Sequence, residues 1–323
     1  MKRLFLCLLL LLLAPLSEAA HAQVKPFPEL ARAFDYDTKA PLDIKEHGVE
    51  ERGGIKVHDI SYTSPKGGQV SAYLVVPAGR GPFAGLVFMH PDYGARTAFL
   101  SEALLMAEAG AVSLLIDAPY RRSEPSRRTF DFTKPEGNRD LFIQTIIDLR
   151  RGVDLLASRS DVDAKRIGYV GHSYGGSMGG VLASVEKRIK AYVLMAGDPS
   201  WTTSLRSGTD PNSEGVRKAF TKEQIDKYIE VTAPFDAIHY IDHAKPAALL
   251  FQFARYDVEI PEAVGTRYTQ AASMPKLVKW YDVGHELDNV EALRDRAAWL
   301  RKEIGIAPLA PILAKRLGRE YAQ

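Results

Sequence analysis

The sequence predicts an α/β fold, a mostly parallel sheet covered by helices on both faces. Three observations predict it. First, apolar runs of strand length recur with no polar alternation, as in Phe83–Met89 and Ala111–Ile116, which marks strands buried on both faces. Second, segments with helical spacing stand between these runs, and strand–helix repetition of this kind makes a parallel sheet. Third, the composition is that of a folded globular chain. Of 323 residues, 46% are hydrophobic and 25% charged, with 42 Lys and Arg against 40 Asp and Glu. This balance excludes disorder and a multi-span membrane protein, and without a basic block nothing points to a nucleic-acid partner.

The elements follow in order. Met1 to Ala22 carries Lys2 and Arg3, then an unbroken apolar run from Leu4 to Leu13, then Ala20-His21-Ala22. A positive start, a short apolar core and a small-x-small site predict a cleaved signal peptide, cut after Ala22. The apolar core is half the roughly 20 residues of a membrane-spanning helix, so no stable span is expected once the leader is removed. Cys7 is the only cysteine. It leaves with the leader, so the mature chain needs no disulfide framework.

Residues 23–53 are polar, with Pro26, Pro28 and Pro41, and read as an N-terminal arm laid over the domain. The domain itself is expected over 54–305. Ile55–Ser61 and Val70–Val76 alternate apolar and polar side chains around Lys66-Gly67-Gly68, a hairpin signal. After Phe83–Met89, helical spacing runs from Ala95 to Ala109 and stops at Gly110, where Ala111–Ile116 begins. A long amphipathic helix is predicted over Asn138–Ser158, with Ile143, Ile146, Ile147, Val153 and Leu156 near one stripe. A strand at Arg166–Val170, a helix from Tyr174 to about Ile189, and strands at Ala191–Met195, Ala247–Phe253 and Leu277–Val283 follow, closed by a helix at Asn289–Ile304. The stretch 196–245 is too long for an ordinary connection and predicts a helical cap insertion. Residues 306–323 read as a C-terminal tail, either a short helix or loose.

The chemistry is concentrated at Gly171-His172-Ser173-Tyr174-Gly175. The bare G-x-S-x-G pattern is weak. Here it follows a strand and opens a helix, the setting in which glycines permit a sharp turn that lifts the serine above the sheet edge. Serine is a poor nucleophile unless a base accepts its proton and an acid orients the base. Both follow in chain order: Asp257 after the strand Ala247–Phe253, and His285 after Leu277–Val283. Each sits at the carboxyl end of a strand, where open α/β sheets place their sites. Glu259, Glu262 and Asp282 remain as alternative acids. Of the eight histidines, His21 leaves with the leader, His47 and His58 precede the parallel sheet, and His172 is expected to pack beside the serine. Oxyanion donors are expected at the backbone N–H of Tyr174 and at the turn His90-Pro91-Asp92-Tyr93-Gly94, on Asp92 with Tyr93 as rival.

Other side chains are candidates for substrate contact. Arg121, Arg122, Arg127 and Arg128 follow the strand Ala111–Ile116, and either bind a carboxylate or are solvated. Tyr93, Tyr120, Phe130, Phe132 and Trp201 line a pocket or pack the cap. His239 and His243 are spaced i, i+4, yet no third ligand and no H-E-x-x-H accompany them, so no metal is expected. No G-x-G-x-x-G follows the first buried strand, and no cofactor is expected.

From Asp161 to Gly176 the chain reads DVDAKRIGYVGHSYGG, an aspartate-led turn, a strand and the elbow. On these residues it resembles the α/β-hydrolase superfamily over about residues 55–305. Within it, the chain is similar to the dienelactone-hydrolase-like group, with acetyl-xylan esterases and prolyl-oligopeptidase-type enzymes as neighbours. Pro234-Phe235-Asp236 through Pro246 also resembles the lead-in to the acid-bearing strand. True dienelactone hydrolases use a cysteine where this chain has Ser173, and the related oxyanion turn begins His-Gly where this one begins His90-Pro91. The resemblance implies a serine hydrolase that cleaves small-molecule carboxylic esters through an acyl-enzyme, and the leader implies that it is exported to a bacterial periplasm or secreted. A serine peptidase acting on small peptides and a non-catalytic binding protein on the same fold are the alternatives.

Overall fold

A computed structural model describes residues 25–320. The predicted signal peptide lies outside the described residues. Helix α1 (Phe27–Ala31) opens the chain. Strands β1 (Lys45–Arg52), β2 (Ile55–Thr63), β3 (Gln69–Val76) and β4 (Phe83–Met89) lead to α2 (Leu100–Glu108), β5 (Ala111–Ile116) and α3 (Pro135–Ser158). Then come β6 (Val162–His172), α4 (Tyr174–Val185), β7 (Ile189–Met195), α5 (Trp201–Ser207), α6 (Pro211–Ala219) and α7 (Lys222–Thr232). The chain closes with β8 (Ala248–Ala254), α8 (Glu262–Ala271), β9 (Lys276–Tyr281), α9 (Val290–Ile304) and α10 (Leu309–Glu320).

One nine-stranded sheet takes the order β1-β2-β3-β5-β4-β6-β7-β8-β9. The first three pairings, through β3 and β5, are antiparallel, and those from β5 through β4 to β9 are parallel. Every residue of β5 and β8 is buried, as is all of β4 but its first residue. Each Val, Leu or Phe withdrawn from water there contributes about 1.5–3 kcal/mol. The order reverses around β4, whose neighbours are β5 and β6. The connections leaving β4 and β6 diverge there and open a crevice at their carboxyl ends.

Two parts differ from the sequence expectation. Residues 45–52, read as arm, form edge strand β1 and pair with β2. All eight residues are exposed, so KEHGVEER shows no apolar alternation. Such charge on an edge discourages pairing with other chains. Helix α8 also stands where the sequence pattern marks no element, between β8 and β9. The rest of the arm is fastened to α3: Tyr36 donates to Asp154 at 2.9 Å, and Arg150 and Arg151 donate to the carbonyls of Phe34 and Ala40.

Residues 196–245 contain α5, α6, α7 and three 3-10 turns. These helices have a core of their own, in which Phe132 from the loop after β5 stacks on Phe220 and Tyr228 with ring centroids 4.5 and 4.1 Å apart. Phe132 thus packs the cap and is not among the residues that line the cavity beside Ser173. Thr221 and Gln224 form a reciprocal cap that starts α7. The C-terminal stretch is helical from Leu309, and Leu309, Ile312 and Leu313 pack on the main core. No helix among the described residues is long and apolar enough to cross a membrane.

Candidate active site

Ser173 occupies the tight turn between β6 and α4, with φ 53° and ψ −110°. A non-glycine residue in this region costs of order 1–3 kcal/mol and is held only by its surroundings. The Ser173 N–H donates to Met195 O at 2.8 Å, tying the turn to β7. The flanking glycines are required by contact: a Cβ on Gly171 would stand 2.3 Å from Gly175 O, and one on Gly175 would stand 2.2 Å from Met89 O. Helix α4 is pressed against the end of β4, and only hydrogen fits between them.

Asp257 and His285 come from the loops after β8 and β9. Their link is a 2.7 Å hydrogen bond from His285 Nδ1 to Asp257 Oδ2. The other carboxylate oxygen, Oδ1, accepts the backbone N–H groups of Glu259 and Ile260 at 2.8 and 2.9 Å. Both side chains are buried. Among the described residues His285 Nε2 has no hydrogen-bond partner, Ser173 Oγ included. Burial pushes the His285 pKa down, but the bond to Asp257 and the charges of Asp257, Glu259 and Glu286 outweigh it, and the net shift is upward.

His172 is a second buried histidine beside the first. Its Nε2–H donates to the His285 carbonyl at 2.7 Å. Burial, then the neighbouring His285, push its pKa down to about 4, which keeps the ring neutral. It therefore holds the His285 loop in place. The alternative acids point elsewhere: Asp282 is exposed and pairs with Arg255, and Glu262 is exposed at the start of α8. Glu259 does approach His285, on the Nε2 side, at 3.7 Å.

The turn after β4 is set by His90. Its Nε2 accepts the Ala118 N–H at 3.0 Å, so Nδ1 carries the proton and donates to Pro91 O at 2.6 Å. Pro91 has no N–H to offer. The Tyr93 N–H is engaged by Asp92 Oδ1 at 2.8 Å. The N–H groups of Asp92 and Tyr174 donate to no acceptor among the described residues, and both residues border the same cavity as Ser173.

That cavity, of about 530 Å³, lies between the sheet end and the cap. Tyr120, Phe130, Phe142 and Trp201 give it aromatic walls, and Arg121, Arg127 and Arg128 stand along one side. Arg121 also donates to Asp92 O at 2.9 Å. Two substrate candidates are placed otherwise. Tyr93 is 49% exposed and does not line the cavity. It turns outward to bind Glu286 at 2.8 Å. Arg122 is neither solvated nor available to a ligand. It is buried and paired with Asp148 at 2.7 Å, beneath the loop.

Several cavity residues carry no sequence signal. Asp198 comes from a cap stretch without a motif, and Asp236, though within the stretch that resembles the lead-in to the acid-bearing strand, is not marked there as a site residue. Burial raises the Asp236 pKa to about 7, although Ser200 and Thr202 donate to it. His239 and His243 lie in separate 3-10 turns, with His243 stacked on Phe27. Among the described residues no group of three or more His, Cys, Asp or Glu could hold a metal.

A mostly parallel sheet with a strained serine turn after its central strand, and a hydrogen-bonded Asp and His at neighbouring strand ends, is the architecture of an α/β hydrolase. Residues 29–290 match the family described as acetyl xylan esterase (AXE1). The chain belongs to the acetyl xylan esterase family and is a hydrolase of carboxylic esters. Of the groups the sequence resembles, the acetyl-xylan-esterase one is thereby shown.

The acetyl xylan esterase from Paenibacillus sp. R4 superposes with a TM-score of 0.67 at 20% identity, covering 86% of this chain and all of that one. Acetyl xylan esterase 1 from Thermoanaerobacterium sp. JW/SL YS485 superposes with a TM-score of 0.67 at 16% identity, covering 85% and 92%. The Pyrococcus furiosus esterase Pf2001 gives 0.58 at 15%, covering 77% and 93%. At these identities the likeness shows the fold. No curated protein sequence matches significantly.

Proposed function

We propose that this protein is an exported serine esterase that removes short acyl groups, acetyl first among them, from hydroxyl-rich alcohols by way of an acyl-enzyme on Ser173. The observation that carries the reading is the 2.7 Å His285–Asp257 bond at the sheet end where the Ser173 turn projects into the cavity. His285 Nε2 takes the proton from Ser173 Oγ as that oxygen attacks the ester carbonyl. The N–H groups of Tyr174 and Asp92 hold the oxyanion of the tetrahedral intermediate. Collapse breaks the bond to the alcohol oxygen, which leaves with the proton from His285. A water molecule, deprotonated by the same Nε2, then cleaves the acyl–serine bond and releases the carboxylic acid. The acetyl preference rests on the family, and export rests on the leader Met1–Ala22.

The test sets short p-nitrophenyl esters against aminoacyl-p-nitroanilides, with a fluorophosphonate probe as a check on Ser173. Rapid turnover of the acetate, little or none of the anilides, and labelling of Ser173 are expected. A faster anilide reaction would make the protein a peptidase, and an unlabelled, inactive protein would make it a binding module.

The pH dependence follows from His285, which works as a base only when neutral. Its pKa is raised in the fold, so kcat/KM falls as pH drops through a midpoint above the ordinary histidine value of about 6.5. A pH–rate profile of kcat/KM for p-nitrophenyl acetate measures that midpoint. One well below 6.5 would contradict the arrangement.

A further inference from the structure

Glu259 lines the cavity with its side chain 34% exposed. Its backbone is fixed by the N–H bond to Asp257 Oδ1. From the cap, Asn212 Nδ2 on α6 donates to Glu259 Oε2 at 3.2 Å. The same oxygen is 3.7 Å from His285 Nε2, too far for a hydrogen bond. Glu259 Oε1 has no hydrogen bond among the described residues. A carboxylate is therefore held, with one oxygen free, beside the nitrogen that handles the proton, and the Asp–His bond does not use it.

The reaction defines what lies there. The oxygen of the departing alcohol receives its proton from His285 Nε2, so it passes within hydrogen-bond distance of that atom. Groups carried on the carbons one or two bonds from that oxygen come within reach of Glu259. A carboxylate offers only acceptors. Its complement on the alcohol is a hydroxyl on the carbon adjacent to the one that bears the ester, and a carboxylate at that place on the substrate would be repelled.

We propose that Glu259, steadied by Asn212, is a specificity-determining residue that accepts a hydrogen bond from a hydroxyl vicinal to the ester on the alcohol side. This rests on the Ser173–His285 reading above. The class of substrate it selects is the monoester of a 1,2-diol unit, in preference to the ester of a simple alcohol.

The experiment compares trans-2-hydroxycyclohexyl acetate with cyclohexyl acetate, which share an acyl group and ring and differ by one hydroxyl. For the natural chain the ratio of kcat/KM values is expected to favour the hydroxylated ester by about 10- to 100-fold, the range for a hydrogen bond to a charged group. In Glu259→Ala the ratio falls toward one, with the loss mainly in KM of the hydroxylated ester. Glu259→Gln, a neutral acceptor, gives an intermediate ratio. A ratio unchanged in Glu259→Ala, with both esters slowed in parallel or neither, would overturn the proposal; the downward shift of the pH profile that loss of the Glu259 charge brings is common to both esters and leaves the ratio as it is. Turnover of both esters with Ser173→Ala as active as the natural chain would instead bring down the underlying reading.

Discussion

Replacing Ser173 with alanine is expected to lower kcat/KM for acetyl esters by at least about three orders of magnitude and to abolish fluorophosphonate labelling. The loss is chemical because the turn does not depend on the hydroxyl. What holds Ser173 at φ 53° is its N–H bond to Met195 and the close approach of α4 to β4, and alanine keeps all of these. Ser173 Oγ makes no hydrogen bond among the described residues, so its removal strands no partner. The unfolding free energy should change by less than about 1 kcal/mol. The residual rate reports the oxyanion donors and binding alone. Kinetics on p-nitrophenyl acetate together with a thermal melt decide the matter. A folded variant that kept its full rate would remove Ser173 from the mechanism.

Asp257→Asn should be damaging on the same scale, with a loss of about four orders of magnitude in kcat. The reason lies in the second carboxylate oxygen. Oδ1 accepts the N–H groups of Glu259 and Ile260, so an asparagine must place its carbonyl oxygen there. Its NH2 then occupies the position of Oδ2, facing His285 Nδ1. A donor facing Nδ1 forces the ring proton onto Nε2, and Nε2 can no longer take a proton from Ser173. Glu259 offers no rescue because it stands on the Nε2 side, 3.7 Å from that atom. The variant should fold, since the two backbone bonds survive. Steady-state rates of this variant, beside its circular dichroism, measure the effect. A loss of only a few-fold would mean that another group orients His285.

Much of the sheet was legible because burial on both faces leaves an unmistakable trace. The strands at Phe83–Met89 and Ala111–Ile116 appear where the apolar runs place them. Strand β1 was not legible because it lies at the edge with every residue exposed, so pairing with β2 rather than burial makes it a strand. Ser173 and Asp257 stood out because each follows a buried strand, and His285 because it completes the chain order of serine, acid and histidine after the edge strand β9. Arg122 could not be told from Arg121 by its neighbours in sequence, yet one is buried against Asp148 and the other borders the cavity. Tyr93 and Tyr120 divide in the same way: one turns out to Glu286 and the other into the cavity. Side-chain direction in a loop is set by distant contacts, which no local pattern encodes.

The sequence by itself determined the α/β class, the strand–turn–helix around Ser173 and the chain order of serine, acid and histidine. These are local patterns of burial and backbone freedom, carried by adjacent residues. The tertiary structure alone decided that His285 bonds Asp257 and not Glu259, that His172 holds the His285 carbonyl, and that Asn212 of the cap steadies Glu259 beside Nε2. Those contacts join segments far apart in the chain, and only the packing of the strands and the cap brings them within hydrogen-bond distance.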